Sequence, residues 1–133
     1  MAFLRRYIIA SHGSLSKGIV DSASMIVGAL GNVEYVSITP NDSQDSVKQQ
    51  IEALIRLNGE DVETVVLTDL LGGSVTNTFL EYIPCQNLHV ITGVNLPMAL
   101  EILVSDEGEN LQAVIQDSIE KGKAGIVYVN QLV

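Results

Sequence analysis

Several residue types are scarce in this 133-residue chain, and each shortage excludes a class of protein. Its single cysteine, Cys85, excludes an internal disulfide and is compatible with a reducing compartment, so we interpret it as a small hydrophobic residue. Tryptophan is absent, and there are only two phenylalanines and three prolines. The 47% of hydrophobic residues are therefore mainly aliphatic, which is typical of a parallel sheet covered on both faces.

Long apolar runs and basic residues are also missing. No stretch approaches the roughly 18 uncharged apolar residues of a membrane span, and Met1 to Arg6 lacks the apolar segment of a signal peptide. We therefore expect a soluble, cytoplasmic protein. Sixteen acidic residues against seven basic ones give a formal charge of -9. Such a surface repels nucleic acids and anionic membranes and favours a protein partner with a basic face.

The pattern of hydrophobic residues predicts one α/β domain that spans residues 1–133, because strand-like and helix-like segments alternate along the chain. This alternation favours right-handed crossovers and a mostly parallel open sheet with helices on both faces. The predicted strands are Tyr7 to Gly13, Val33 to Ile38, Thr64 to Thr68, Leu88 to Thr92 and Gly125 to Val129. The predicted helices are Ile19 to Leu30 (ended by Gly31), Gln44 to Leu57 (ended by Asn58-Gly59), Val75 to Tyr82, one opened by Asn95-Leu96-Pro97, and Leu111 to Glu120.

The first strand delivers a histidine, His12, to its carboxyl end, where open α/β sheets bind ligands. Gly13 then allows a sharp turn, and Ser14 or Ser16 can cap the helix that follows. Asp69 stands at the end of the third strand in the same way. If these two strands are neighbours, His12 and Asp69 face each other across the gap between them. A carboxylate there fixes the imidazole tautomer and leaves the other ring nitrogen free as a nucleophile or base.

A glycine-rich turn, Gly72-Gly73-Ser74, follows Asp69 and leads into a short helix. Its backbone N–H groups can converge on an anion, and the Ser74 hydroxyl adds a donor. Taken singly, each of these features has a structural explanation: a hydrogen-bonded histidine, a capping aspartate, a tight turn. Together they supply a nucleophile, an orienting carboxylate and an anion cradle.

The sequence favours neither a metal site nor a cofactor site. His89 alternates with apolar neighbours inside a strand, so we interpret it as a partly buried or surface residue. The chain has no HExxH, CxxC or EF-hand spacing, and neither a Walker loop nor a GxGxxG.

Three motifs make the sequence resemble the enzyme IIA component of the mannose family of the bacterial sugar phosphotransferase system (PTS). They are Ile9 to Gly13, Asp69 to Ser74 and Thr92 to Met98, in matching order and spacing, and the similarity runs through at least Met1 to Val104. The second motif departs from the family, which usually has Phe and Pro where this chain has Leu71 and Val75.

The resemblance implies that His12 accepts a phosphoryl group at Nε2 from the phosphocarrier protein HPr and passes it to a IIB component linked to the membrane. It implies that Asp69 orients His12 and that the Gly72-Gly73-Ser74 loop contacts the phosphate. It also implies a homodimer that exchanges the strand predicted at Gly125 to Val129, an apolar segment suited to edge pairing.

Two alternatives stay open from the sequence. The first is the phosphocarrier subunit of dihydroxyacetone kinase, which has a similar fold and an N-terminal histidine, although the motif from Gly93 to Met98 favours the mannose family. The second is a non-catalytic module that binds a partner in a phosphorylation-dependent way.

Overall fold

The computed structural model of the chain describes residues 4–56, 61–85 and 87–133. The strands are β1 (Leu4–His12), β2 (Val33–Ile38), β3 (Val62–Thr68) and β4 (Leu88–Thr92). The helices are α1 (Leu15–Val27), α2 (Gln44–Ile55), α3 (Ser74–Leu80), α4 (Leu96–Leu103) and α5 (Leu111–Ala124). The predicted helix stop at Asn58-Gly59 lies outside the described residues, and so does the side chain of Cys85.

The four strands form one sheet in the order β2-β1-β3-β4, and every neighbouring pair is parallel. The predicted α/β class and parallel open sheet are therefore confirmed. β1 lies between β2 and β3 and is buried from Arg5 to Ser11. The chain leaves β1 toward β2 on one side and returns to β3 on the other, so the carboxyl ends of β1 and β3 border a topological switch point.

Alternate residues of the strands fill two cores, one on each face of the sheet. Ile9 and Leu67 point into the core covered by α1, α4 and α5, whereas Ile8 and Val66 point into the core covered by α2 and α3. All four of these side chains are fully buried. Each contributes roughly 1.5–3 kcal/mol of hydrophobic free energy relative to exposure. The ends of β1 and β3 are thereby held from both faces.

The helices begin where the sequence offers capping groups. Ser43 accepts a hydrogen bond from the Ser46 amide at the start of α2, and Asn95 accepts one from the Met98 amide at the start of α4. Asn110 caps α5 in the same way. None of the helices in residues 4–56, 61–85 and 87–133 is long and apolar enough to cross a membrane.

The prediction that α1 continues to Leu30 and is ended by Gly31 is wrong, because the helix ends at Val27. Gly28 adopts a φ of 86°, a conformation that favours glycine and breaks the helical path. Ile19 and Ala23 of this helix are buried, whereas Ile26, one turn further on, is 59% exposed.

The prediction of a fifth strand at Gly125 to Val129 is also wrong for the single chain. Helix α5 continues past Glu120 to Ala124, and residues from Val129 to Leu132 form a 3₁₀ turn. A β-strand requires hydrogen bonds from a neighbouring strand. β4 occupies one edge of the sheet, and β3 is its only neighbour among the described residues, so the apolar terminal segment has no strand beside it.

Candidate functional site

The site forms at the carboxyl ends of β1 and β3, where the sequence places it. His12 is the last residue of β1, and Asp69 follows the last residue of β3. The two strands pair in parallel with Ala10 opposite Thr68, which brings the next residues of both strands to the same edge. The predicted proximity of His12 and Asp69 is confirmed.

One carboxylate oxygen of Asp69 holds His12 through two contacts. Asp69 Oδ2 accepts a hydrogen bond from the His12 backbone N–H at 2.8 Å and lies 2.8 Å from Nδ1 of the imidazole. Because an ionised carboxylate only accepts hydrogen bonds, Nδ1 carries the proton in this pair. The same carboxylate therefore fixes both the backbone and the ring of His12, and the lone pair of Nε2 is left available.

The electrostatics of the pair favour an ionised Asp69. Burial raises the pKa of this carboxyl, but hydrogen bonds from the His12 amide and imidazole and the charge of the imidazole lower it by more, so the net pKa lies below its ordinary value. The Asp69 side chain is 9% exposed, whereas that of His12 is 48% exposed. A shielded anion thus supports an imidazole that a partner can reach.

The glycine-rich turn after Asp69 reaches the edge of the imidazole. Gly72 has a φ of 82°, and a Cβ added to Gly73 would lie only 3.1 Å from Cε1 of His12. Ser74 is the first residue of α3, and its side chain is exposed. The backbone around Gly73 is therefore beside the ring.

The turn that carries His12 is capped differently from the prediction. Ser14 occupies the cap position of α1 without a side-chain cap, and the Ser16 hydroxyl donates to Val36 O at 2.8 Å. Instead, the Ser11 hydroxyl accepts a hydrogen bond from the Ser16 amide at 2.7 Å. Gly13 has the predicted turn conformation, with a φ of 61°. The cap thus comes from inside β1, which holds the turn close to the sheet.

The two departures in the second motif occupy different environments. Val75 is fully buried and packs in the core between α3 and the sheet. Leu71 is 75% exposed, and Leu70 beside it is 51% exposed. With Leu15, which is 48% exposed at the start of α1, these leucines place apolar surface on the segments that follow His12 and Asp69.

His89 lies outside this site. It sits on the edge strand β4, partly exposed, with Nε2 3.9 Å from a carboxylate oxygen of Glu63. In residues 4–56, 61–85 and 87–133, no three His, Cys, Asp or Glu side chains are grouped so as to hold a metal ion.

Chemically, the arrangement suits a nucleophilic imidazole. A protonated Nδ1 held by a carboxylate leaves Nε2 as the attacking atom, and the carboxylate stabilises the positive charge that develops on the ring. The nearby backbone of the Gly72-Gly73 turn can add neutral donors for an anionic group.

Two polar residues of the site were missed from the sequence, Ser11 and Thr76. Both are almost completely buried, and both hydrogen-bond to the turns that carry His12 and Asp69. The available signal was their position: Ser11 is a polar residue between an apolar strand and His12, and Thr76 follows the buried Val75.

Comparison with known proteins gives consistent matches. The family model described as PTS system fructose IIA component matches residues 6–119. The sorbose-specific EIIA component of Klebsiella pneumoniae is 30% identical over 115 residues, which cover 80% of this chain and 84% of that protein. The mannose/sorbose-specific IIA subunit from Enterococcus faecalis superposes with a TM-score of 0.85 at 30% identity, covering 93% of each chain.

The chain corresponds to only part of some relatives. The mannose-specific EIIAB component of Escherichia coli is 24% identical over 121 residues, which cover 90% of this chain but 38% of that protein. The chain thus spans well under half the length of this relative.

Proposed function

The chain belongs to the family of PTS system fructose IIA components, and we propose that it is a phosphohistidine carrier of the phosphoenolpyruvate-dependent sugar phosphotransferase system. In this proposal His12 accepts a phosphoryl group from phosphorylated HPr and donates it to a IIB component for sugar uptake. A bond forms between Nε2 of His12 and phosphorus while the bond from phosphorus to the donor imidazole breaks. The second step reverses these roles with the IIB component as acceptor.

The contact between Asp69 Oδ2 and His12 Nδ1 at 2.8 Å carries this proposal. It commits the proton to Nδ1 and directs the chemistry to Nε2 of a half-exposed ring. Phosphoryl transfer needs positioning and charge stabilisation more than covalent help from its surroundings. Asp69 supplies both, since it orients the ring and offsets the charge that the imidazole gains on phosphorylation.

The phosphoryl group itself would meet the glycine-rich turn. We assign Gly72, Gly73 and Ser74 to its oxygens, supported by the close approach of Gly73 to Cε1 of His12 and by the exposed Ser74 at the first position of α3. The net charge of -9 disfavours an anion at the site, and backbone donors offset this by hydrogen-bonding to the phosphoryl oxygens. The turn contributes donors and Asp69 contributes orientation.

The proposed role and the surface near His12 indicate where the partners dock and what charge they carry. A partner must place its own donor or acceptor side chain against Nε2, and we expect it to contact the exposed Leu15, Leu70 and Leu71, which follow His12 and Asp69 along the chain. The acidic net charge favours partners with basic faces and speeds their encounter. In this proposal residues 1–133 form one domain that works in the cytoplasm.

We also propose a homodimer built through the terminal segment. Ile126, Tyr128, Val129 and Leu132 are each more than 60% exposed. A groove of about 440 Å³ lies between the edge strand β4 and α5, and Ile126 lines it. Among the described residues β4 pairs with a strand on one side only, so the apolar terminal segment of a second copy can pair with its other side.

The test of the main proposal is transfer itself. Purified protein mixed with phosphorylated HPr should be labelled rapidly and should then discharge to a IIB component. Label that enters but passes only to a dihydroxyacetone kinase would support that alternative. Tight binding of phosphorylated HPr without labelling would support a regulatory module and refute the carrier.

A further inference from the structure

The neighbours of both His12 and Asp69 are tied by buried hydroxyl groups that the proposed function does not use. Across His12, the Ser11 hydroxyl donates to the carbonyl of Gly13 at 3.2 Å. Across Asp69, the Thr76 hydroxyl lies 2.7 Å from the hydroxyl of Thr68. The same Thr76 oxygen is also 2.7 Å from the carbonyl of Leu70. For His12 and for Asp69 alike, one hydroxyl side chain therefore connects the residue before it to the residue after it.

The hydrogen bond from Ser11 to Gly13 belongs to a larger hydrogen-bond network at the start of α1. Ser11 is fully buried and also accepts from the Ser16 amide at 2.7 Å. The Ser16 hydroxyl continues to Val36 O at 2.8 Å and to the Ser37 hydroxyl at 3.0 Å. This hydrogen-bond network links β1, the first turn of α1 and β2. The backbone on both sides of His12 is consequently fixed to the sheet.

The Thr76 tie links α3 to the end of β3. Thr76 is 2% exposed and Thr68 is fully buried, so water does not compete for these hydrogen bonds. Because Thr68 and Leu70 flank Asp69 directly, Thr76 restricts the backbone from which the carboxylate projects.

We propose that Ser11 and Thr76 are positioning residues that set the ends of β1 and β3 so that Asp69 Oδ2 meets both the amide and Nδ1 of His12 before any partner docks. The inference rests on the proposed role of His12 as phosphoryl acceptor. A single carboxylate oxygen makes both contacts at 2.8 Å, which leaves little tolerance for movement of either strand end. A misplacement of about 1 Å can reduce a rate about a hundredfold.

The test compares loss of a hydroxyl at the site with loss of one elsewhere. Thr76→Val removes the hydroxyl and keeps the shape of the side chain, and Thr76→Ser keeps the hydroxyl. Ser11→Ala removes the other tie. The matched control is Ser118→Ala, because Ser118 is also fully buried, but its hydroxyl donates to Ile115 O within α5, away from the site.

Two readouts separate positioning from general stability. The first is the nitrogen-15 NMR signal of the His12 imidazole in the unphosphorylated protein, which reports whether Nδ1 stays protonated and bonded. The second is transfer from phosphorylated HPr, measured as kcat and KM under conditions where circular dichroism shows each variant folded. We expect Thr76→Val and Ser11→Ala to shift the imidazole signal and to lower kcat about tenfold to a hundredfold with KM nearly unchanged. Thr76→Ser should restore most of kcat, and Ser118→Ala should lower only the melting temperature.

Unchanged imidazole signals and wild-type kcat in Thr76→Val and Ser11→Ala would overturn the inference, whatever their melting temperatures. A loss of kcat in Ser118→Ala equal to theirs would overturn it as well, since stability alone would then explain the effect. If either site variant fails to fold, the other variant decides the test. Thr76→Ser is the folded reference for Thr76→Val. If the wild-type protein accepts no phosphoryl group, the proposed function fails, and the imidazole signals still decide the inference by themselves.

Discussion

Replacing Asp69 by asparagine tests how the carboxylate supports His12. In the wild-type protein, Oδ2 accepts from the His12 amide and faces Nδ1, and Oδ1 accepts from the Leu70 amide at 3.0 Å. Asparagine has one acceptor oxygen and an NH₂ group that only donates. Whichever way the amide is turned, a donor faces a donor at one of these contacts. The remaining hydrogen bonds also lose the strength that the charge gives them.

The expected effect on transfer is larger than the effect on folding. Loss of a positioned polar group in a reacting site typically slows a reaction about 10² to 10⁴-fold, and we expect Asp69→Asn to fall in this range. Losing a charge-assisted hydrogen bond should cost about 1–3 kcal/mol of unfolding free energy. The fold should persist, because Asp69 lies at the rim of the sheet and not in either core.

The pH dependence of protein stability independently tests the direction in which the Asp69 pKa is shifted. Since the folded pKa of Asp69 lies below its ordinary value of 3.8, its ionised form stabilises the folded state fully above that value. This stabilisation is lost as pH falls through the lower folded pKa. The stability difference between wild type and Asp69→Asn should therefore be constant near neutral pH and shrink in strong acid.

The assay is quenched-flow transfer from phosphorylated HPr, with circular dichroism at each pH as the folding control. Transfer by Asp69→Asn within about threefold of the wild-type rate would refute the orienting role, because one positioned polar group normally accounts for far more. A stability difference that grows in acid would contradict the assigned direction of the pKa.

Three further predictions concern the loop, the core and the assembly. Gly73→Ala places a Cβ 3.1 Å from Cε1 of His12, so stopped-flow transfer should slow with the circular dichroism spectrum unchanged; a wild-type rate would show that the ring moves aside freely. Phe79→Ala removes a fully buried side chain and should cost about 3–5 kcal/mol in urea unfolding, and a loss below about 1 kcal/mol would show that the core under α3 collapses around the gap. Deleting the residues after Ala124 should convert a dimer to a monomer in sedimentation and lower the melting temperature; an unchanged mass and melting temperature would rule out assembly through this segment.

The sequence was sufficient to predict the four strands of the sheet and the main contact of the site. Continuous β-branched and aliphatic runs identify β2 and β4 with their bounds, and strand-end positions bring His12 to Asp69. These features depend on local pattern and on the general geometry of parallel sheets, both of which a single sequence carries.

The wrong predictions concern features of the structure that depend on tertiary contacts. Gly28 and Gly31 are both plausible helix ends, and the choice depends on which one takes a positive φ. The terminal segment has the composition of a strand, but composition does not supply the neighbour that a strand needs. Ser11 was missed because capping was assigned to residues next to the helix, whereas the capping hydroxyl comes from inside β1.

The central claim is that Nε2 of His12 carries the phosphoryl group, and mapping the label tests it most directly. Wild-type protein and His12→Gln are incubated with phosphorylated HPr, and the modified atom is identified by phosphorus-31 and nitrogen-15 NMR of the intact protein. We expect one phosphohistidine at Nε2 of His12, labile in acid and stable in alkali, and no label in His12→Gln, which should remain folded because the His12 side chain is half-exposed. Label on Nδ1, label that survives acid, or label that persists in His12→Gln would contradict the account.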